Sequence, residues 1–171
     1  MKKTLIIALS CLAILFAACK KPVEPTPVDP TPVDYTANYV GNYVGQFTLT
    51  ITSMNNQPQT GMSFPIDSIR MEIAKVEKIN EFIATVTIDN EAYQAKGTIS
   101  KEKAVFEPIH LILNKPDFSI ICDLNLEGKP IENDTLSLNG NFSGKGSAII
   151  MGQEQNFDEV SGTVEGSIGK Q

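Results

Sequence analysis

Two side chains in this sequence carry the chemistry that a nucleophilic site would need: His110, the sole histidine, and Cys122. A Ser–His–Asp or Cys–His arrangement would have to use His110 as its base. Its place in the run Ile109-His110-Leu111-Ile112-Leu113 argues against that role. Strand side chains alternate between faces, so His110 lies opposite Ile109, Leu111 and Leu113 and is expected to point outward into water. Cys122 shares parity with Ile120 and Leu124 and reads as a small core residue. No neighbouring base is evident to lower its pKa. The expectation is a protein that is not an enzyme.

Metal chemistry is equally thin. Zinc takes several His or Cys ligands, which the chain lacks. Asp123, Asn125 and Glu127 project from one strand face, with Glu132 and Asp134 close behind. Calcium needs about six to eight converging oxygens, whereas a flat strand splays its side chains apart. A solvated face is the expected reading, with no metal and no cofactor. Carboxylates are numerous but stand in no recognisable glycosidase frame. The glycines between 140 and 146 precede no helix, so a phosphate-binding dipole is missing. Tyr39 and Tyr43 are the candidate ligand-binding residues, since aromatic rings at a barrel mouth take apolar ligands or sugars. Core packing or a plug accounts for them equally well.

The net charge is −6, and removing Lys2 and Lys3 with a leader leaves 12 basic against 20 acidic side chains. Nucleic-acid partners require a basic footprint, and none is present. With 42% hydrophobic and 20% charged residues the chain is globular in composition. Of its three cysteines only Cys122 lies in the folded part, so no internal disulfide is expected.

The remaining cysteines lie in or at the end of a leader. Met1-Lys2-Lys3 is a positive n-region, and an apolar run follows from Leu5 to Ala18. At about 14 residues this run is shorter than the ~20 of a spanning helix, which predicts a signal peptide over 1–18. The segment Leu15-Phe16-Ala17-Ala18-Cys19 resembles a bacterial lipobox. That resemblance implies a diacylglycerol on the Cys19 thiol, cleavage before it and acylation of the new amine. Two or three acyl chains anchor durably, each buried methylene contributing ~0.8 kcal/mol. Residues 20–34 carry five prolines and a tandem Pro-Thr-Pro-Val-Asp repeat. Such a segment favours extended polyproline II and would hold a domain up to about 45 Å from a bilayer. The expected organisation is a leader over 1–18, a lipidated cysteine and linker over 19–34, and one domain over 35–171.

The elements of that domain read as strands. Tyr43, Gly45, Phe47, Leu49 and Ile51 alternate with Gln46, Thr48, Thr50 and Thr52, a half-buried pattern of period two. The pattern returns in Phe82 to Ile88 and Phe118 to Glu127, and continues in Leu136, Leu138 and Phe142. Further strands are expected over 69–77, 92–99, 104–113, 146–151 and 160–168. Turns are expected at Asp89-Asn90-Glu91, Lys101-Glu102, Glu127-Gly128-Lys129-Pro130 and Ser143-Gly144-Lys145-Gly146. Asn139-Gly140 is either a turn or part of a long strand. Asp67 to Lys78 is the best helical candidate and fits a strand nearly as well. Eight or nine short strands with hairpin-length connections predict an all-β fold. An antiparallel up-and-down barrel of about eight strands is expected, with a β-sandwich as the alternative.

The stretch Tyr39-Val40-Gly41-Asn42-Tyr43-Val44-Gly45-Gln46-Phe47 resembles the first strand of calycin-like (lipocalin-like) β-barrel lipoproteins of Bacteroidetes. Leu136 to Gly146 and Val160 to Gly166 are similar to the closing strands of that group. Gly41-Asn42-Tyr43 has Tyr where the lipocalin Gly-x-Trp signature has Trp. The resemblance implies an antiparallel barrel on a lipid anchor, in a group mostly of unassigned function. Position 20 is not Asp, which points to the outer membrane. Lys20-Lys21-Pro22-Val23-Glu24 in place of an acidic export tag favours its periplasmic face over the cell surface. The functional expectation is a non-catalytic module binding a small apolar or amphiphilic ligand, with a protein-interaction or inhibitor module of the cell envelope as the alternative.

Overall fold

A computed structural model describes residues 31–171. The leader, Cys19 and most of the linker lie outside the described residues. The domain is all-β: β1 (Gly41–Met54), β2 (Gln57–Lys75), β3 (Glu81–Ile88), β4 (Glu91–Ile99), β5 (Ala104–Phe106), β6 (Ile109–Lys115), β7 (Phe118–Ile131), β8 (Thr135–Ile150) and β9 (Gln153–Lys170). A single 3-10 turn, Thr36–Asn38, precedes them. Consecutive strands other than β5 and β6 pair antiparallel, β9 returns to β1, and β5 pairs with both β4 and β7. The result is a closed up-and-down barrel with eight strand positions.

The ninth strand needs no ninth position, because β5 and β6 lie in line along β7. Val105 faces Glu127 and Ile109 faces Leu124, so three intervening residues oppose two. The excess residue makes a bulge at Glu107-Pro108, where proline withholds an N–H from the ladder. The Glu107 amide still reaches the Lys96 carbonyl at 2.8 Å. Beyond Pro108, β4 and β6 share no ladder. The half-buried Tyr93 lies at the seam instead, its one hydroxyl proton shared between the Ile112 carbonyl and the Glu91 carboxylate, each at 2.8 Å. Lys115 and Asp89 add an ion pair at 2.5 Å.

Inside, large side chains interleave with glycine. Phe47, Phe142 and Phe82 lie over Gly166, Gly162 and Gly97 respectively, where an added Cβ would come within 2.7 Å of each phenylalanine side chain. Alternating large and small residues fill a tapering barrel interior to native density. Phe82 also meets Phe106 edge-on, with ring centroids 5.0 Å apart.

This packing corrects two turn expectations. Glu127 to Pro130 continues β7, and Ser143 to Gly146 continues β8, which also absorbs Asn139-Gly140. The glycines of β8 sit where the β7 backbone approaches: a Cβ on Gly144 would lie 2.0 Å from the Ile121 carbonyl oxygen. They permit close strand approach rather than reversal. The N-terminal half of β2 and the start of β9 were not anticipated, and the strand expected over 104–113 is interrupted at Pro108. Asp67 to Lys75 is strand, not helix.

The reversals occur elsewhere. Asn55-Asn56, Asp89-Asn90 and Met151-Gly152 form two-residue turns with positive φ at both positions, and Asn133-Asp134 has the same sign in the three-residue turn that begins at Glu132. This is the geometry that matches strand twist in tight hairpins. Asn and Asp suit it. Met151, at φ 52°, does not.

Candidate functional site

The two ends of the barrel differ. At one, the chain enters as a plug. An Asp34 oxygen accepts from the Thr36 amide at 2.9 Å, and its other oxygen pairs with Lys75 at 2.5 Å. The Lys75 ammonium, seconded by Thr36, holds this carboxyl well below the usual carboxylate range. The Asn80 side chain accepts from the Tyr35 amide and donates to the Val33 carbonyl. The structure places Tyr39 and Tyr43 here, fully buried, with the Tyr43 hydroxyl donating to the Tyr39 carbonyl at 2.7 Å. Burial pushes the pKa of both phenols up. They close the floor and line no mouth. The Tyr39 hydroxyl and the Thr36 hydroxyl are buried without a hydrogen-bond partner.

The other end, the mouth, is formed by the turns at 55–56, 89–90, 116–117 and 151–152. Strands β1, β2, β8 and β9 are longer than β3 and β4 and stand above them. The β2–β3 pairing begins only at Arg70, which cuts the mouth obliquely. Phe64 and Phe118 meet across it with ring centroids 4.1 Å apart. Beneath them lies an apolar pocket lined by Leu49, Ile51, Phe142, Phe157 and Val160. The cavity itself has a volume of only about 20 Å³. That is room for about one water. Below, the interior is occupied by side chains from all eight strand positions. A preformed cavity for a lipocalin-sized ligand is therefore not what this pocket provides.

The remaining sequence candidates do not converge. His110 points outward from β6 and its Nδ1 lies 3.0 Å from Asp123 on β7. Cys122 is buried, and desolvation lifts its thiol to about 11, which leaves it inert at neutral pH. Asn125 donates to Asn141 at 3.2 Å, and Glu127 accepts from Lys103 at 2.6 Å. The polar run of β7 is thus divided among β6, β8 and the turn before β5, and among the described residues no three His, Cys, Asp or Glu side chains cluster as a metal site.

Sequence reasoning missed Phe64 and Met151. Phe64 sits in the unanticipated half of β2. Met151 is fully exposed at the β8–β9 turn, flanked by Ile149 at 50% exposure. An apolar side chain in a strained turn position, touching nothing, serves neither packing nor turn chemistry. No known protein family, curated protein or solved structure matches this chain.

Proposed function

We propose that this chain is a non-catalytic, lipid-anchored interaction module of the bacterial cell envelope, tethered at Cys19 to the outer membrane on its periplasmic face. The observation that carries this reading is the fully exposed Met151 side chain at the mouth of a filled barrel. The barrel interior is filled by its own side chains, while Met151 stands exposed at the mouth and Ile149 is exposed in the groove that Phe118 lines. Val33, Ile79 and Ile131 are exposed at the floor as well, but among the described residues only Met151 is exposed in full, and exposed apolar side chains adjoining an aromatic-walled opening mark an interaction site. A filled core at the same time leaves little for a ligand inside.

A second reading, a carrier or sensor of a small apolar or amphiphilic ligand, is favoured by the predominantly apolar lining of the pocket under Phe64 and Phe118. Such a ligand would insert a chain end at the mouth only by displacing those rings.

A photo-crosslinking amino acid replacing Met151, Ile149 or Gln57 in intact cells tests the first reading. The expected outcome is one protein adduct in near-stoichiometric amount, common to Met151 and Ile149. Adducts with lipid alone, or none from any of the three positions, overturn it.

A further inference from the structure

Resting on the interaction reading, we infer that the mouth docks a polypeptide segment in which an apolar side chain is flanked by Lys or Arg. The first ground is a continuous cleft. The apolar pocket under Phe64 and Phe118 adjoins an outer groove of about 290 Å³ formed by Lys115 to Ser119, Ser147 to Ile149 and Glu154. The two hollows share Phe118, Ser119, Ser147 and Ala148. Aromatic walls therefore pass directly into a rim bearing the carboxylates of Asp117 and Glu154.

The second ground is charge. The turns of the mouth carry Asp89, Glu91, Asp117 and Glu154, and Asp158 and Glu159 are bound through their amides to the Asn55 side chain at the β1–β2 turn. Against these six carboxylates stand Lys115, already paired with Asp89, and Arg70 where the β2–β3 ladder ends. The floor is balanced by contrast, with Lys75, Lys78 and Lys103 each paired to a carboxylate. An acidic rim around an apolar centre attracts a cationic partner and raises its encounter rate. The same rim repels a second mouth and an anionic lipid surface, so neither a second copy nor a bilayer is the favoured occupant of the space around Met151.

The third ground is Met151 itself. Flexible thioethers adapt to varied apolar partners, and its left-handed conformation presents it clear of the sheet.

The test uses the full acylated chain in phosphatidylethanolamine nanodiscs, with labelled dodecapeptides of alternating Leu/Lys, Leu/Glu and Ser/Lys and empty discs as control. The Leu/Lys peptide is expected to bind, and to bind at least 10-fold more tightly than either of the others. Asp117→Asn combined with Glu154→Gln is expected to weaken it at least 5-fold and to flatten its salt dependence. Met151→Ser, at an exposed position that cannot unfold the barrel, is expected to weaken it about 3-fold. Equal binding of Leu/Glu or of Ser/Lys overturns the inference, as does indifference to these substitutions. Displacement by hexyltrimethylammonium, too short to form micelles, reassigns the cleft to an amphiphile and also overturns it. Crosslinks between two copies that vanish in Met151→Ser, or Met151-dependent binding to phosphatidylglycerol vesicles, do the same. Failure here alongside a stoichiometric crosslinked protein leaves the interaction reading standing; failure of both removes it.

Discussion

Gly162 shows how narrowly single positions are specified in this barrel. A Cβ there would lie 2.0 Å from the Thr50 carbonyl oxygen and 2.7 Å from the Phe142 ring, and the backbone neighbour cannot yield. Gly128 is the matched control, since its nearest neighbour, Leu138, would be at an ordinary 3.5 Å. Gly162→Ala is expected to cost about 1–3 kcal/mol through overpacking. Gly128→Ala is expected to stay within about 0.5 kcal/mol. Urea midpoints of the two variants check this, and equal losses would show that the phenylalanine seats are not the constraint. These seats were not legible in the sequence. A glycine that ends a strand and a glycine that receives a distant ring look alike locally, because Phe142 and Gly162 meet only once β8 and β9 have paired. His110 and Cys122 were legible because their parity depends on immediate neighbours alone.

At the scale of elements, the plug is the most chemically defined part. Asp34 titrates lower in the folded state than its unfolded value of about 3.9. Its contribution is therefore full above that pH and is lost as the pH falls toward the folded value. Amide exchange at Tyr35 and Thr36 is expected to rise steeply with acidification below about pH 4 relative to the β8–β9 amides. Asp34→Asn should abolish that relative rise. The two tyrosines behave oppositely on loss of their hydroxyls. Tyr43→Phe forfeits the bond to the Tyr39 carbonyl and is expected to cost about 1 kcal/mol. Tyr39→Phe removes an unpartnered buried hydroxyl and is expected to be neutral or stabilising. Thermal unfolding of both variants decides, and a loss in Tyr39→Phe would reveal a partner for that hydroxyl. The sequence exposed the aromatic character of both positions, but not which end of the barrel they occupy. That depends on where the first residues after the linker turn inward.

The whole molecule is held shut unevenly. Three residue pairs join β4 to β5 and two join β5 to β7, and above Pro108 the polar bonds across the seam among the described residues are those of the Tyr93 hydroxyl and the Asp89–Lys115 pair. The phenol is pushed up to about 12, first by burial and then by Glu91, so it remains a donor throughout the ordinary pH range. Tyr93→Phe is expected to increase amide exchange in β4 and β6 about 5-fold, corresponding to about 1 kcal/mol of lost closure, while β8 and β9 stay protected. Uniform acceleration across all strands would show that the barrel opens only globally. The all-β class and the strand count were readable from period-two alternation, which each strand carries within itself. The seam was not, because Glu107-Pro108 interrupts a run that otherwise alternates without fault, and only the register along β7 reveals that both pieces share one position.

The antiparallel return of β9 beside β1 has one further effect. The Gln171 amide is bonded to the Asn42 carbonyl at 2.9 Å, so the described chain enters and leaves at the same pole. A reporter domain joined after Gln171 would crowd the pole at which the described chain enters. A short epitope inserted at Gly152, where nothing lies within 4 Å of an added side chain, would be displayed at the opposite pole. Antibody access to these two placements on whole cells and on broken envelopes would map the protein's orientation without any knowledge of its partner.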